Sequence, residues 1–418
     1  MLTTFLIVFY YAVLSFLLYR MVKNREQKLS AIEVALAFGF KAITACLYGY
    51  IFLKYYGGDD TWAFHQQGLQ EYDKMLNDPG QFFKDLTPVS AIEHTRSWTR
   101  ALVSYNIDLE YWTFNKMLAI CNVFSRGNYY VNAVLFSFIT FWGHYWLFSL
   151  LHREMPGRRR WLFLLIFFFP PIVFWLSGIR TDGLIFFFLT LSLFYYNNWI
   201  KTSKRKYFWY FLFALVGILI YRNVLLMLLV PPLIAWYVAV RYHTRPLLTY
   251  VSAFALTTVI FFGTLLISPT KNLPALVANR QHEFLALKGN TVFRLDSLHA
   301  DVGSFIKVMP QAASNTFLRP YVWEADGALQ VLTAGSIVFF WSLALLALVR
   351  PEKPWATFLQ HPLVLFLVFF AVVLYLFIGY TVPFPGAIVR YKCIPELMLL
   401  SVLVLNLRLP RLERLNPS

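Results

Sequence analysis

Apolar runs of about twenty residues recur along this chain from one end to the other, and each is long enough to cross a bilayer as a helix. Composition points the same way: of 418 residues 59% are hydrophobic and only 14% are charged. A soluble domain carries nearly twice that charge. The fold class expected is therefore an all-α polytopic membrane protein, with residues 1–418 forming a single transmembrane domain. The first run, Leu2 to Val22, lacks a basic leader and a small-residue cleavage site, and it is expected to stay as a helix.

Charge then orders the runs. The chain carries a formal net charge of +16, and much of it sits in short basic connections. These are Lys23 to Lys28, His152 to Arg160, Lys201 to Lys206, Arg241 to Pro246, Arg350 to Lys353, and the tail from Arg408 to Arg414. Placing them all on the cytoplasmic side gives about eleven spans without a parity conflict, the N-terminus outside and the C-terminus inside. The excess of Lys and Arg thus needs no nucleic acid as partner, and no basic tract interleaved with aromatics suggests one. Cys46, Cys121 and Cys393 lie far apart, in no metal or disulfide pattern.

Two connections on the outer side are too long to be turns, one from residue 57 to about 128 and the other from 268 to about 327. The first has helical periodicity, with Trp112, Lys116 and Ile120 on one stripe, as expected of helices lying along the interface. The second mixes Pro, Asn and charge with apolar patches and reads as a small folded loop.

Exceptions to the charge rule single out candidate functional residues. Arg180 in "SGIRTDG", Arg222 in "IYRNV", Arg390 with Lys392 in "GAIVRYKC", and Arg319 in "FLRPYVWEADG" all fall at the outer level. Asp59, Asp60, Asp182, Glu324 and Glu396 fall there too. On the residues alone two readings stay open. The charges tie helix ends together, or the arginines grip a phosphate while a carboxylate acts as base.

The stretch "YYGGDDTWAFHQQG", Tyr55 to Gly68, sharpens the second reading. Gly57 and Gly58 let the backbone turn out of a long helix. Asp60, Phe64 and Gly68 then follow at helical spacing. Asp59 is the expected N-cap of the new helix, leaving Asp60 to act. His65 is expected at an interface rather than as a ligand.

These segments resemble the GT-C-fold glycosyltransferases, which include protein O-mannosyltransferases and aminoarabinose transferases. Asp60, Phe64 and Gly68 match that family's Asp-x-x-x-Tyr/Phe-x-x-x-small pattern in the first large outer loop. Tyr221-Arg222-Asn223 stands where the family has a Thr-Arg-Pro helix junction. "IVRYKCIPELMLL", with Arg390 and Tyr391, is similar to its Arg-Tyr-x-x-Pro turn, with Pro395 one residue late. "SGIRTDGLIFF" resembles a turn that some members write as Ser-Gly-x-x-Lys-Asp. The chain departs from the pattern in an extra first span and in its doubled aspartate.

The resemblance implies a sugar donor on a polyprenyl phosphate and a site on the outer face of a bacterial inner membrane. Asp60, or Asp59, would be the general base for a glycan, lipid or protein acceptor. Arg222, Arg390, Arg180 and Lys392 would bind the donor phosphate, supported by Asp182, Arg319, Glu324, His65 and Tyr391. No cofactor is required, and a divalent metal is compatible with the chemistry but not demanded, because Asp59 with Asp60 alone is no ligand set. Two alternatives make different demands. A polymerase or ligase of lipid-linked glycans would use Arg280, His282 and His299, and a transporter or flippase would need charge at mid-membrane, where Lys41 and His144 are the candidates.

Overall fold

A computed structural model of the chain describes residues 2–89, 92, 98–268, 272–287, 291–325 and 327–409. Among the described residues eight helices are long and apolar enough to cross a membrane. The protein is a helical, multi-pass integral membrane protein. Among the same residues the remaining regular structure is helical as well, apart from one isolated antiparallel bridge between Pro351 and Leu407.

The chain groups into two compact units. The first comprises Met1–Pro156, Ile166–Trp199 and Lys204–Asn223. It opens with α1 (Leu2–Val22) and α2 (Ala31–Tyr56). Ser30 starts α2 with a capping box: its hydroxyl accepts from Glu33 N, and the Glu33 carboxylate accepts from Ser30 N. Gly57, in the left-handed region at φ 69°, ends the helix. Next come α3 (Asp59–Asn77), α4 (Pro79–Lys84) and α5 (Trp98–Ser125). They fill the first long connection, which is helical as its periodicity predicted. The expected stripe is split, however. Lys116 is buried whereas Ile120 is exposed, because α5 packs on both α3 and the next helix, α6 (Tyr129–Glu154).

Asn128 caps α6, its side chain accepting from Tyr130 N and Val131 N. Two short helices follow, α7 (Arg159–Phe168) and α8 (Pro170–Trp175), separated at the prolines 170 and 171. After α8 comes the turn that carries Arg180, and then α9 (Thr181–Thr202). Helix α10 (Arg205–Arg241) runs for 37 residues, far more than the roughly 20 that a span requires. Its backbone leaves the helical region at Arg222, with φ −162° and ψ 75°. The expected helix junction is therefore a single-residue break, and no loop separates the two halves.

The second unit comprises Gly157–Leu165, Ile200–Ser203 and Val224–Ser418. Beyond the end of α10 it contains α11 (Pro246–Ile267), α12 (Leu273–Leu285), α13 (Val302–Phe317) and a short 3-10 turn at Val322–Glu324. It closes with α14 (Ala328–Val349), α15 (Trp355–Phe358), α16 (Pro362–Thr381) and α17 (Pro385–Asn406). The second long connection contributes to a small buried cluster. Ala278, Leu295, Leu298, Phe305 and Val308 are buried together there, with Phe261, Phe262 and Tyr380 against them.

Candidate functional site

The glycine pair does bend the chain. Gly57 and Gly58 both take positive φ, and so does Asp59 at φ 48°, where a side chain is uncommon. The expected cap is corrected here. Gly58 occupies the N-cap position and no side chain caps the helix. Asp59 is drawn elsewhere, because its carboxylate accepts from Arg180 Nη1 at 2.9 Å.

Arg180 is the hub of the site. It is buried, and besides Asp59 it donates through Nη2 to Asp60 and through Nη1 to the Tyr48 hydroxyl at 3.5 Å. Its Nε lies 3.8 Å from Asp182, and Arg222 approaches the other oxygen of Asp182 at 3.7 Å. Asp182 stands in the first turn of α9, where the helix dipole favours a carboxylate. Burial opposes the charge on Arg180, but Tyr48 and the carboxylates of Asp182, Asp60 and Asp59 push its pKa above the ordinary value. It is a permanent cation.

One face of α2 sets the height of that hub. Lys41, Thr44 and Tyr48 follow at helical spacing and meet the turn Leu176–Arg180 in order. Lys41 Nζ donates to Leu176 O at 2.9 Å and to Ser177 Oγ at 3.3 Å, and it lies 3.2 Å from His144 Nε2. His144 Nδ1 sits 2.9 Å from Ile166 O. That contact assigns the proton to Nδ1 and leaves Nε2 to accept from Lys41. Thr44 Oγ1 bonds Ser177 Oγ, and Tyr48 lies so close to Gly178 that a Cβ there would meet its ring at 2.7 Å. Trp62 pins α3 to the same helix by donating to Gly49 O at 2.9 Å. The scaffold role of these residues was not read from the sequence, although three polar side chains at helical spacing inside an apolar span were a usable signal.

The Asp60, Phe64 and Gly68 series has another explanation in the fold. Phe64 packs edge-on against Phe114, and a Cβ on Gly68 would meet Leu118 at 2.7 Å. Those two positions serve the α3–α5 contact. Asp60 stands apart from them, with its side chain 58% exposed. His65 is buried among Trp62, Tyr129 and Asn132. Burial pulls its pKa down to about 4, against a hydrogen bond with the Gly127 backbone.

The other candidates belong to the second unit. Arg319 and Glu324 pair with one another, with Nη2 to Oε1 at 2.5 Å, and the guanidinium stacks 4.2 Å above Phe293. Arg390 donates to the Tyr391 hydroxyl at 2.8 Å. Lys392 is buried and donates to Thr316 O at 3.4 Å; Glu396, one turn on, is buried as well. Of the alternative's residues, Arg280 pairs with Glu283 at 2.7 Å on an exposed face, and His282 and His299 are exposed.

A second charged cluster in the first unit went unread. Lys116 Nζ lies 2.6 Å from Glu71 and 3.2 Å from Asp85, and Lys74 reaches the same two carboxylates at 2.7 and 3.0 Å. Phe82 and Trp112 cover the lysines. Burial works against the Asp85 charge, yet the two lysines hold its pKa below the ordinary value.

Comparison of the chain with protein-family models, with curated proteins and with solved structures finds no match. The site must be read from its own residues.

Proposed function

We propose that this protein is a membrane glycosyltransferase that moves a sugar from a polyprenyl-phosphate donor to a hydroxyl acceptor, with inversion. One observation carries the reading. A pair of adjacent carboxylates at the head of α3 is held by a buried arginine, and a second arginine at a helix break joins the same network. Asp60, the more exposed of the pair, is the general base. It takes the proton of the acceptor hydroxyl. The acceptor oxygen then attacks the anomeric carbon as the bond from that carbon to the phosphate oxygen breaks. The leaving polyprenyl phosphate needs no acid.

The network distributes the roles more narrowly than the sequence does. Arg180 already faces three carboxylates, so it orients Asp60 instead of gripping the donor. Arg222, with 31% of its side chain exposed, is assigned the donor phosphate, where its fork stabilises the developing charge. Asp59, fixed by its backbone and by Arg180, positions its neighbour.

The proposed topology has about eleven spans, counting α10 as two at its break and adding α7 with α8 and then α17 to the eight apolar helices. It puts the site on the outer face of a bacterial inner membrane, with a glycan, lipid or protein as acceptor. Lys41 and His144 do not favour transport. Their contacts run to the turn that carries Arg180, which is a scaffold role.

The test is to incubate purified protein in nanodiscs with a panel of labelled polyprenyl-phosphate sugars, each with candidate acceptors. Transfer or slow hydrolysis of at least one donor is expected. No turnover of any donor by folded protein would contradict the proposal.

A further inference from the structure

The ends of α14 and α17 meet in a small piece of extended chain. Pro351 and Leu407 form an antiparallel bridge, Arg408 N donates to Arg350 O at 2.9 Å, and Glu352 N donates to Asn406 O at 2.6 Å. The Asn406 side chain locks the turn, accepting from Lys353 N and donating to Lys353 O. In this register Arg350 stands directly opposite Arg408. Like charges in opposed positions destabilise a pair of strands. Among the described residues neither guanidinium has an ion pair or hydrogen bond, and the neighbouring acid Glu352 turns to Arg158 at 2.9 Å.

Two helix C-termini end here, and their dipoles alone favour a cation at each. That accounts for either arginine taken singly. It does not account for the cleft the two share, about 540 Å³ in volume and lined by Val349, Arg350, Pro351, Arg408 and Leu409. The lining is two forked cations on apolar walls. The apolar side continues outward, because α14 leaves Leu345, Leu348 and Val349 exposed up to the mouth of the cleft, with Val349 70% exposed. A soluble anion would use the guanidiniums and waste the apolar approach, whereas a headgroup carrying acyl chains uses both.

We propose that this cleft is a binding site for an anionic phospholipid, with its phosphate between Arg350 and Arg408 and its acyl chains along α14. Planar forked donors suit phosphate oxygens, and the occupant removes the repulsion between the paired arginines. The site is independent of the carboxylate pair and of any transfer activity.

Native mass spectrometry of the full-length protein tests it, with phosphatidylglycerol and phosphatidylcholine supplied in equal amounts. The wild type retains phosphatidylglycerol in preference. Each of Arg350→Gln and Arg408→Gln weakens it about five-fold and the double variant roughly thirty-fold, while phosphatidylcholine is unaffected. The double variant to Lys keeps the charge and recovers part of the affinity, which separates loss of the site from loss of the fold. Equal retention of the two lipids by the wild type, or unchanged phosphatidylglycerol in a folded double Gln variant, would overturn the proposal. So would displacement of the lipid by millimolar inorganic phosphate, which would mark a site for free anions.

Discussion

Two charged clusters lie in the first unit, and they are built differently. In the Glu71, Lys74, Asp85 and Lys116 box, two cations face two carboxylates, the contacts are short, and aromatic rings close the sides. In the Asp59, Asp60, Arg180, Asp182 and Arg222 network, three carboxylates meet two guanidiniums. There the centre is buried and the ends are open: the Lys116 side chain is 4% exposed, against 58% for Asp60. The balanced, covered cluster is a staple holding α3, α4 and α5 together. The open one brings Asp60 and Arg222 to its exposed ends. Charge alone does not separate them, and exposure does.

The largest effect on folding is expected in the box. Lys116→Met leaves two buried carboxylates to share Lys74, and breaking a buried pair costs about 3–5 kcal/mol. Thermal melting in detergent checks this, and an unchanged melting point would make the box a surface feature. Arg222→Ala, by contrast, is expected to leave melting nearly alone and to weaken donor binding roughly ten- to a hundred-fold, or about 1.5–3 kcal/mol. Arg222→Lys should recover only part of that, because the ammonium lacks the fork. A lowered melting point with intact donor binding would move Arg222 into the same class as the box.

A further effect distinguishes the packing around the site from the site itself. His65 is held neutral in the fold down to a pH of about 4, whereas in the unfolded chain it takes up a proton near its ordinary value. Between about 6.5 and 4 the unfolded state therefore binds more protons, so stability falls as pH falls through that window. The loss is about 3 kcal/mol. Melting scans against pH should show this acid limb, and His65→Gln should flatten it.

The coarse fold was legible because its signals are local. Long apolar runs, the capping box at Ser30 and the glycine pair at 57 and 58 each act within a few residues. The partners of the charges were not legible. Asp59 has the composition of an N-cap, but Arg180 lies 121 residues away and decides where its carboxylate goes. Phe64 and Gly68 carry the right spacing for a motif, and they also carry the right spacing for helix packing, which periodicity cannot tell apart. Lys41 was visible as a charge midway along an apolar helix. That it holds the turn bearing Arg180 depends on a contact 135 residues away.

The central claim is that the open network does chemistry and the closed one does not, and Asp60→Asn tests it most directly. Transfer from the active polyprenyl-phosphate donor and the melting temperature would be measured on the same preparation, with Asp59→Asn alongside. The account predicts a fall in rate of about 10²–10⁴-fold for Asp60→Asn at an unchanged melting point, and a smaller fall for Asp59→Asn. Full activity in both variants, or a loss in Asp60→Asn that follows a lowered melting point, would contradict it.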